Sequence, residues 1–192
     1  VVFPEPEQVC TAESPDEIFA SSIGEFQTKP GNQVIISYST TYQYWDPAQA
    51  MKEIPGELYN FILDSKDAGG AKVQVVGLDQ RTFPIPALLE SSPGLAYIGA
   101  VPDIDGIFRR YPLVSKIVGT SEVDAQTYEL QEGAGLYFPS YSLLSYMAYT
   151  DDAVELTVLN NADSFLKYRG GELRLDFKGE TKIRWLGDAS AF

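Results

Sequence analysis

The sequence predicts an α/β (α+β) domain, a mixed and largely antiparallel sheet with flanking helices, and three observations carry that prediction. Apolar residues recur at helical spacing in several stretches, each introduced by Ser or Pro at the position of a cap or first turn. Short runs rich in Val, Ile, Leu and Tyr lie between those stretches and read as strands. After residue 94 such runs follow one another through tight turns, the order of antiparallel neighbours rather than of βαβ crossovers. The 192 residues, 44% of them hydrophobic, favour one domain spanning 1–192 with a sizeable core.

Taken in order, residues 4–15 are rich in Pro, Glu and Ser and read as a loop. Ser14-Pro15-Asp16-Glu17 then starts a helix, with a capping Ser, Pro at the first helical position and acids in the first turn. Ile18, Phe19, Ile23 and Phe26 supply its apolar positions, and Lys29-Pro30-Gly31-Asn32 stops it. Val34-Ile35-Ile36-Ser37-Tyr38 is a buried strand. The segment after it holds Tyr42, Tyr44 and Trp45 in a loop without clear period, and loops after buried strands often carry function. The simpler reading is that these aromatics cap the core. Asp46-Pro47 opens a helix at 47–53, and residues 57–65 form a helical turn with Leu58, Phe61 and Ile62 inward. Residues 72–76 read as a strand, and Pro84 to Ser92 as a short helix whose leading prolines preset φ.

The densest pattern lies at 96–114. Apolar residues run into Pro102, which lacks an N–H and ends regular pairing. Asp103 and Asp105 are turn formers, Gly106 tolerates a positive φ, and 107–114 returns to strand composition, so the stretch reads as two strands joined by a tight turn. Pro112 argues for an edge, a bulge or a strand end. Residues 119–135 are an exposed excursion. A helix begins at Phe138-Pro139-Ser140-Tyr141, Asp151-Asp152 ends it, and 156–159 is a strand. Alternation on both sides of Lys178-Gly179 predicts a C-terminal hairpin with one solvated face.

Composition excludes more than it identifies. A formal net charge of -13 argues against nucleic-acid binding, which needs a basic face, and against electrostatic docking on an anionic membrane. The chain has no histidine, which removes the usual general base and the commonest transition-metal ligand. The single Cys10 forms no internal disulfide and no cysteine-rich zinc site. There is no apolar run of about 18 residues to span a bilayer and no signal-peptide pattern. Val1-Val2-Phe3-Pro4-Glu5-Pro6 reads as a strand end running into a loop, as in a chain cut from something longer.

Asp103-x-Asp105-Gly106 admits three readings. A haloacid-dehalogenase-like nucleophile motif needs an uninterrupted strand before the first Asp and a hydroxyl after the Gly, whereas Pro102 and Ile107 stand there. A calcium loop of the EF-hand kind lacks its further acids. A turn with Asp side chains bonding local amides needs nothing more and is favoured. Arg109 and Arg110 alternate faces in a regular strand. One is then free to pair with a turn aspartate and the other to meet a ligand carboxylate or phosphate. Asp151-Asp152, Glu53 and Glu57 read better as exposed acids than as a hydrolytic carboxylate pair.

Ile85-Pro86-Ala87-Leu88-Leu89, Gly94-Leu95-Ala96-Tyr97-Ile98-Gly99 and Pro102-Asp103-Ile104-Asp105-Gly106-Ile107-Phe108-Arg109-Arg110-Tyr111-Pro112-Leu113 together resemble the CHASE2 family. Phe138-Pro139-Ser140-Tyr141-Ser142-Leu143 and Arg184-Trp185-Leu186-Gly187 resemble its following helix and closing strand, and Val2-Phe3-Pro4-Glu5-Pro6 the end of an earlier one. The family-motif residues are Pro102, Asp103, Asp105, Gly106, Arg109, Arg110 and Pro112. The resemblance implies an extracytoplasmic sensor module, periplasmic or at the cell surface, in a bacterial transmembrane receptor. It also implies tethering through membrane helices beyond this chain and an adenylate cyclase, histidine kinase or Ser/Thr kinase output. The N-terminal part of the family pattern has no counterpart here, so a fragment is implied. A homodimer is expected from how such receptors signal. No catalytic residue, metal or cofactor is carried over, and the domain itself is expected not to be an enzyme. Arg109, Arg110, Tyr42, Tyr44 and Trp45 are the candidate walls of a pocket for a small-molecule or envelope ligand. A secreted calcium-dependent hydrolase or carbohydrate-binding domain using Asp103 and Asp105 is the alternative.

Overall fold

The computed structural model describes residues 14–41, 56–67, 75–78, 82–92, 94–100, 102–117, 136–158, 164–176 and 178–183. Helix α1 (Pro15–Gln27) starts as its sequence dictates, with Pro15 at the first helical position and the Ser14 amide donating to Glu17 Oε2 at 3.4 Å. Ala20 and Ile23 are its buried positions, while Ile18, Phe19 and Phe26 are exposed. Its last carbonyls are capped from beyond the helix. Thr28 Oγ1 donates to Glu25 O at 2.7 Å and Asn32 Nδ2 to Phe26 O at 3.0 Å.

Strand β1 (Ile35–Thr41) belongs to a five-stranded sheet with β3 (Val75–Leu78), β4 (Gly94–Ile98), β6 (Val114–Ile117) and β7 (Leu136–Pro139). The order is β4-β1-β3-β6-β7. β1 runs parallel to β4, with Tyr38 opposite Tyr97, and antiparallel to β3; β6 runs parallel to β3 and antiparallel to β7. The two outer strands meet at an isolated parallel bridge between Tyr97 and Ser140, so the sheet curls onto itself. Gly94 permits the closest approach, because a Cβ there would sit 3.0 Å from Ile35 Cγ1 and 3.3 Å from Val34 O. Helix α2 (Pro86–Ser91) packs with α1, whose Gln27 Nε2 donates to Ser91 O at 2.7 Å. Ile36, Tyr38, Leu88, Leu95, Tyr97 and Phe138 form this first core. The 3-10 turn Gly56–Phe61 adds Leu58, with Phe61 and Ile62 packed beside it.

A second sheet has the order β10-β9-β8-β2, built from β2 (Asp64–Asp67), β8 (Glu155–Val158), β9 (Ser164–Tyr168) and β10 (Gly171–Leu175). Its apolar face, Leu156, Leu166 and Leu175, meets Leu63, Val114, Tyr137, Val154 and Leu143 of helix α3 (Tyr141–Thr150) in a second core. Ser140 caps α3, its Oγ accepting from the Leu143 amide at 3.4 Å, and Asp151 ends it with φ 50°. The two cores share the β6–β7 ribbon. On β7, Phe138 enters the first core and its neighbour Tyr137 the second, because consecutive strand residues face opposite sides.

The mixed, mainly antiparallel α+β class is the one the sequence predicts, but two of its hairpins are not formed. The stretch 96–114 is not a two-stranded unit: β4 pairs with β1, whereas β5 (Arg110–Pro112) pairs with β11 (Glu180–Lys182) in a separate two-stranded sheet. Burial decides this, since β4 is an almost wholly buried strand and residues 107–110 are exposed, so the two cannot share one surface. At the C-terminus the Lys178-Gly179 turn exists, with the Gly179 amide donating to Asp176 O at 3.0 Å, but the flanking strands separate. β10 pairs instead with β9 across Arg169-Gly170, a strand that sequence reading did not assign. The predicted helix at 47–53 lies outside the described residues, as do Glu53 and Cys10.

Because β7 closes both cores, truncating it removes packing that no other strand supplies. Phe138→Ala is expected to lower stability by about 3–5 kcal/mol, measured as a shifted midpoint in urea unfolding at unchanged slope.

Candidate functional site

The family-motif residues occupy one excursion between β4 and β6. Pro102 is exposed and precedes a turn in which the Gly106 amide donates to Asp103 O at 2.8 Å. Gly106 has φ +79°, which a residue bearing Cβ adopts only with strain. The Asp103 amide donates to Ile107 O at 3.0 Å, and Asp105 Oδ1 accepts from the Ile107 amide at 3.2 Å, so the loop is closed by backbone and by an Asp side chain. Up to this point the turn follows local sequence.

The arginines complete it. Arg109 donates from Nη1 and Nη2 to Asp105 Oδ1 and Oδ2 at 2.8 and 2.7 Å, a bidentate pair, and from Nη1 to Asp103 Oδ2 at 3.1 Å. Arg110 Nη1 donates to Asp103 Oδ1 at 3.4 Å, and its Nε lies 3.9 Å from Asp176 Oδ2 in the turn between β10 and β11. The expected alternation of faces fails here, because regular strand begins only at Arg110 and both side chains curl onto Asp103. Both guanidinium groups stay about half exposed, at 46% and 45% for the side chains. An anionic ligand would therefore reach them by competing with Asp103 and Asp105 rather than by filling a free pocket wall. A calcium ion at Asp103 and Asp105 would likewise have to displace the Arg109 guanidinium. Tyr42, Tyr44 and Trp45 lie outside the described residues, as do Arg184 to Gly187.

Pro112 is buried opposite Glu180 in the β5–β11 pair, a two-stranded sheet where its missing N–H breaks no longer ladder. Immediately after it the Leu113 and Val114 amides both donate to Gly179 O, at 3.0 and 3.3 Å, a local irregularity that separates β5 from β6. The Ile183 amide donates to Arg109 O at 2.9 Å, so the last described residue is bonded to the loop's base.

Two acids that sequence reading passed over belong to this neighbourhood. Asp176 Oδ1 accepts from the Lys178 and Glu180 amides at 2.9 and 3.0 Å and so organises the turn that faces Arg110. Its legible signal is an Asp ahead of a Lys-Gly turn. Glu180 is 8% exposed, and burial, reinforced by the charge of Asp176, holds its carboxyl above the usual carboxylate range. Asp105 goes the opposite way. The Arg109 hydrogen bonds, helped by the Ile107 amide, lower it to about 2.

Asp151-Asp152, read as an exposed pair of helix-end acids, divides into two different residues. Asp151 is the exposed left-handed cap, whereas Asp152 is only 8% exposed and its Oδ2 accepts from Tyr146 Oη at 3.2 Å and the Arg169 amide at 2.7 Å. That carboxylate ties α3 to the β9–β10 turn. Among the described residues no group of three His, Cys, Asp or Glu side chains is placed to share a metal ion.

With this geometry in hand, comparison of the chain with family models, with curated proteins and with solved structures returns no match in any of the three. The CHASE2 resemblance therefore rests on the motif residues themselves.

Two titrations check the electrostatics. In an NMR pH titration the Asp105 carboxyl is expected to titrate near pH 2 and to return toward about 4 in Arg109→Ala. Since its folded value is lowered, its contribution to stability is present above about pH 4 and is lost as pH falls toward 2. Glu180 has the reverse sign. Its raised value makes ionisation unfavourable to the fold, so its contribution weakens as pH rises from the ordinary carboxylate value through the raised one. Glu180→Gln is expected to flatten that part of the stability curve, read from thermal midpoints between about pH 4 and 7.

Proposed function

We propose that this chain is an extracytoplasmic sensory domain of a bacterial transmembrane signalling receptor of the CHASE2 kind. It passes a ligand- or envelope-dependent conformational bias to a cytoplasmic output such as an adenylate cyclase, a histidine kinase or a Ser/Thr kinase. The observation that carries the reading is the assembly of Asp103, Asp105, Gly106, Arg109 and Arg110 into one ion-paired loop bonded to β11, with Pro112 in the strand that pairs with it.

A signalling domain needs two arrangements of different stability and a ligand that prefers one, since equal affinity for both shifts nothing. The motif loop suits that task. Arg110 stands between Asp103 of the loop and Asp176 of the β10–β11 turn, so a change in which acid it favours is felt at β11. In the receptor reading the chain continues from β11 toward the membrane helices, and the loop would bias that connection. The domain is then a non-catalytic part of a membrane protein, its ligand a small molecule or an envelope component. An anionic ligand would act by competing with Asp103 and Asp105 for Arg109 and Arg110, and the receptor would work as a homodimer.

The reading frame beyond Phe192 is the first test. Several apolar spans followed by a cyclase or kinase sequence are expected, and a stop codon would overturn the proposal. In the intact receptor, Arg109→Ala and Arg110→Ala are each expected to change basal output at least several-fold with the receptor still inserted. Unchanged output and ligand response in Arg110→Ala and Trp45→Ala would remove the loop and the aromatic segment from signalling.

A further inference from the structure

The motif loop carries an apolar tip that its ion pairs do not explain. Ile104 is fully exposed at 108%, and Ile107 and Phe108 follow at 48% and 42%. Surface apolar residues scattered singly need no account, but three exposed within five positions concentrate apolar surface on one loop. The turn beneath them is defined: two backbone hydrogen bonds close it, and the bidentate Arg109–Asp105 pair joins its two limbs. The loop is also electrically neutral, Asp103 and Asp105 against Arg109 and Arg110, in a chain of formal net charge -13.

Its place in the fold is equally specific. β11 runs antiparallel to β5, with Glu180 opposite Pro112 and Lys182 opposite Arg110, and Ile183 then bonds Arg109. Moving along β11 toward the C-terminus therefore leads to the base of this loop. In the receptor reading, on which this inference rests, that is the membrane-proximal direction.

We propose that residues 102–110 form a membrane-contacting loop that seats Ile104, Ile107 and Phe108 in the interfacial layer of the phospholipid bilayer to which the domain is tethered. Area argues for a lipid surface over a protein partner. Three side chains cover at most a few hundred Å², short of the roughly 800 Å² per partner of a specific protein interface. A tethered domain needs far less, because attachment supplies a high effective concentration and a weak partition then suffices. Charge agrees. The anionic surface repels the acidic protein as a whole, whereas the neutral loop approaches without that penalty, and its carboxylates enter already paired.

The test uses the domain attached by a C-terminal polyhistidine tag to phosphatidylcholine vesicles containing a nickel-chelating lipid. A polarity-sensitive dye is placed at residue 104 in an Ile104→Cys, Cys10→Ser background. A blue shift of the dye and its quenching by lipids spin-labelled near the headgroup are expected. Ile107→Ser with Phe108→Ser should weaken that contact about tenfold while leaving the circular dichroism spectrum unchanged. Dye emission indifferent to vesicles overturns the inference, as does a shift that grows with protein concentration without lipid, the mark of a second copy on the patch. If membrane spans follow residue 192 and the dye is indifferent, only the loop proposal falls. A stop codon there removes the receptor reading and the tether together.

Discussion

The β6–β7 ribbon is the constraint on which the rest of the structure depends. Both of its faces are buried, so it tolerates no change of register. Tyr137 and Val114 point to the second core, while Phe138 and Ser115 share the opposite face, as the pairing of Ser115 with Phe138 requires. A one-residue slip would exchange Tyr137 and Phe138 and spoil both cores at once. Lys116, the one charged side chain on this ribbon's described part, is half-buried with its ammonium 5.8 Å from the Tyr137 ring centroid, a cation–π contact. The end of the ribbon also positions α3. Ser140 donates its amide to Leu113 O at 2.8 Å, bridges Tyr97 and caps α3, so a single residue ends β7, closes the curled sheet and starts a helix.

The motif loop is held by another kind of force. Its side chains are exposed, and exposed ion pairs add little stability one by one. Here four charges act within eight residues, with bidentate geometry, on a turn that is already closed by its backbone. The result is shape rather than stability: a loop with a defined tip, standing on a two-stranded sheet outside both cores. Such a unit can change arrangement without unpacking either core.

Legibility followed the range of the interactions. Helix α1 was readable from Ser14-Pro15-Asp16-Glu17 because caps and first-turn charges act within four residues. The turn at Asp103 to Gly106 and the pairing of an arginine with it were readable for the same reason. That Asp176 and Glu180 join this neighbourhood was not, since they stand more than 60 positions away and reach the loop only through the β5–β11 pair. Asp152 was misread as exposed because its partners, Tyr146 and the Arg169 amide, come together only when β9 and α3 meet.

The sequence by itself determined the local pieces: the α+β class, the capped helices, the acidic turn with its arginines, and the absence of histidine chemistry. Tertiary structure decided the partners. Strands β4 and β5, adjacent in sequence and joined by an evident turn, went to different sheets because one is buried on both faces and the other is not. The Lys178-Gly179 turn was legible, yet β10 and β11 separated because β10 found Leu166 and β9 while β11 found Pro112 and β5. Turn chemistry specifies that the chain reverses. Which strand it then pairs with depends on the apolar surface available, and that surface is assembled from residues far apart in sequence.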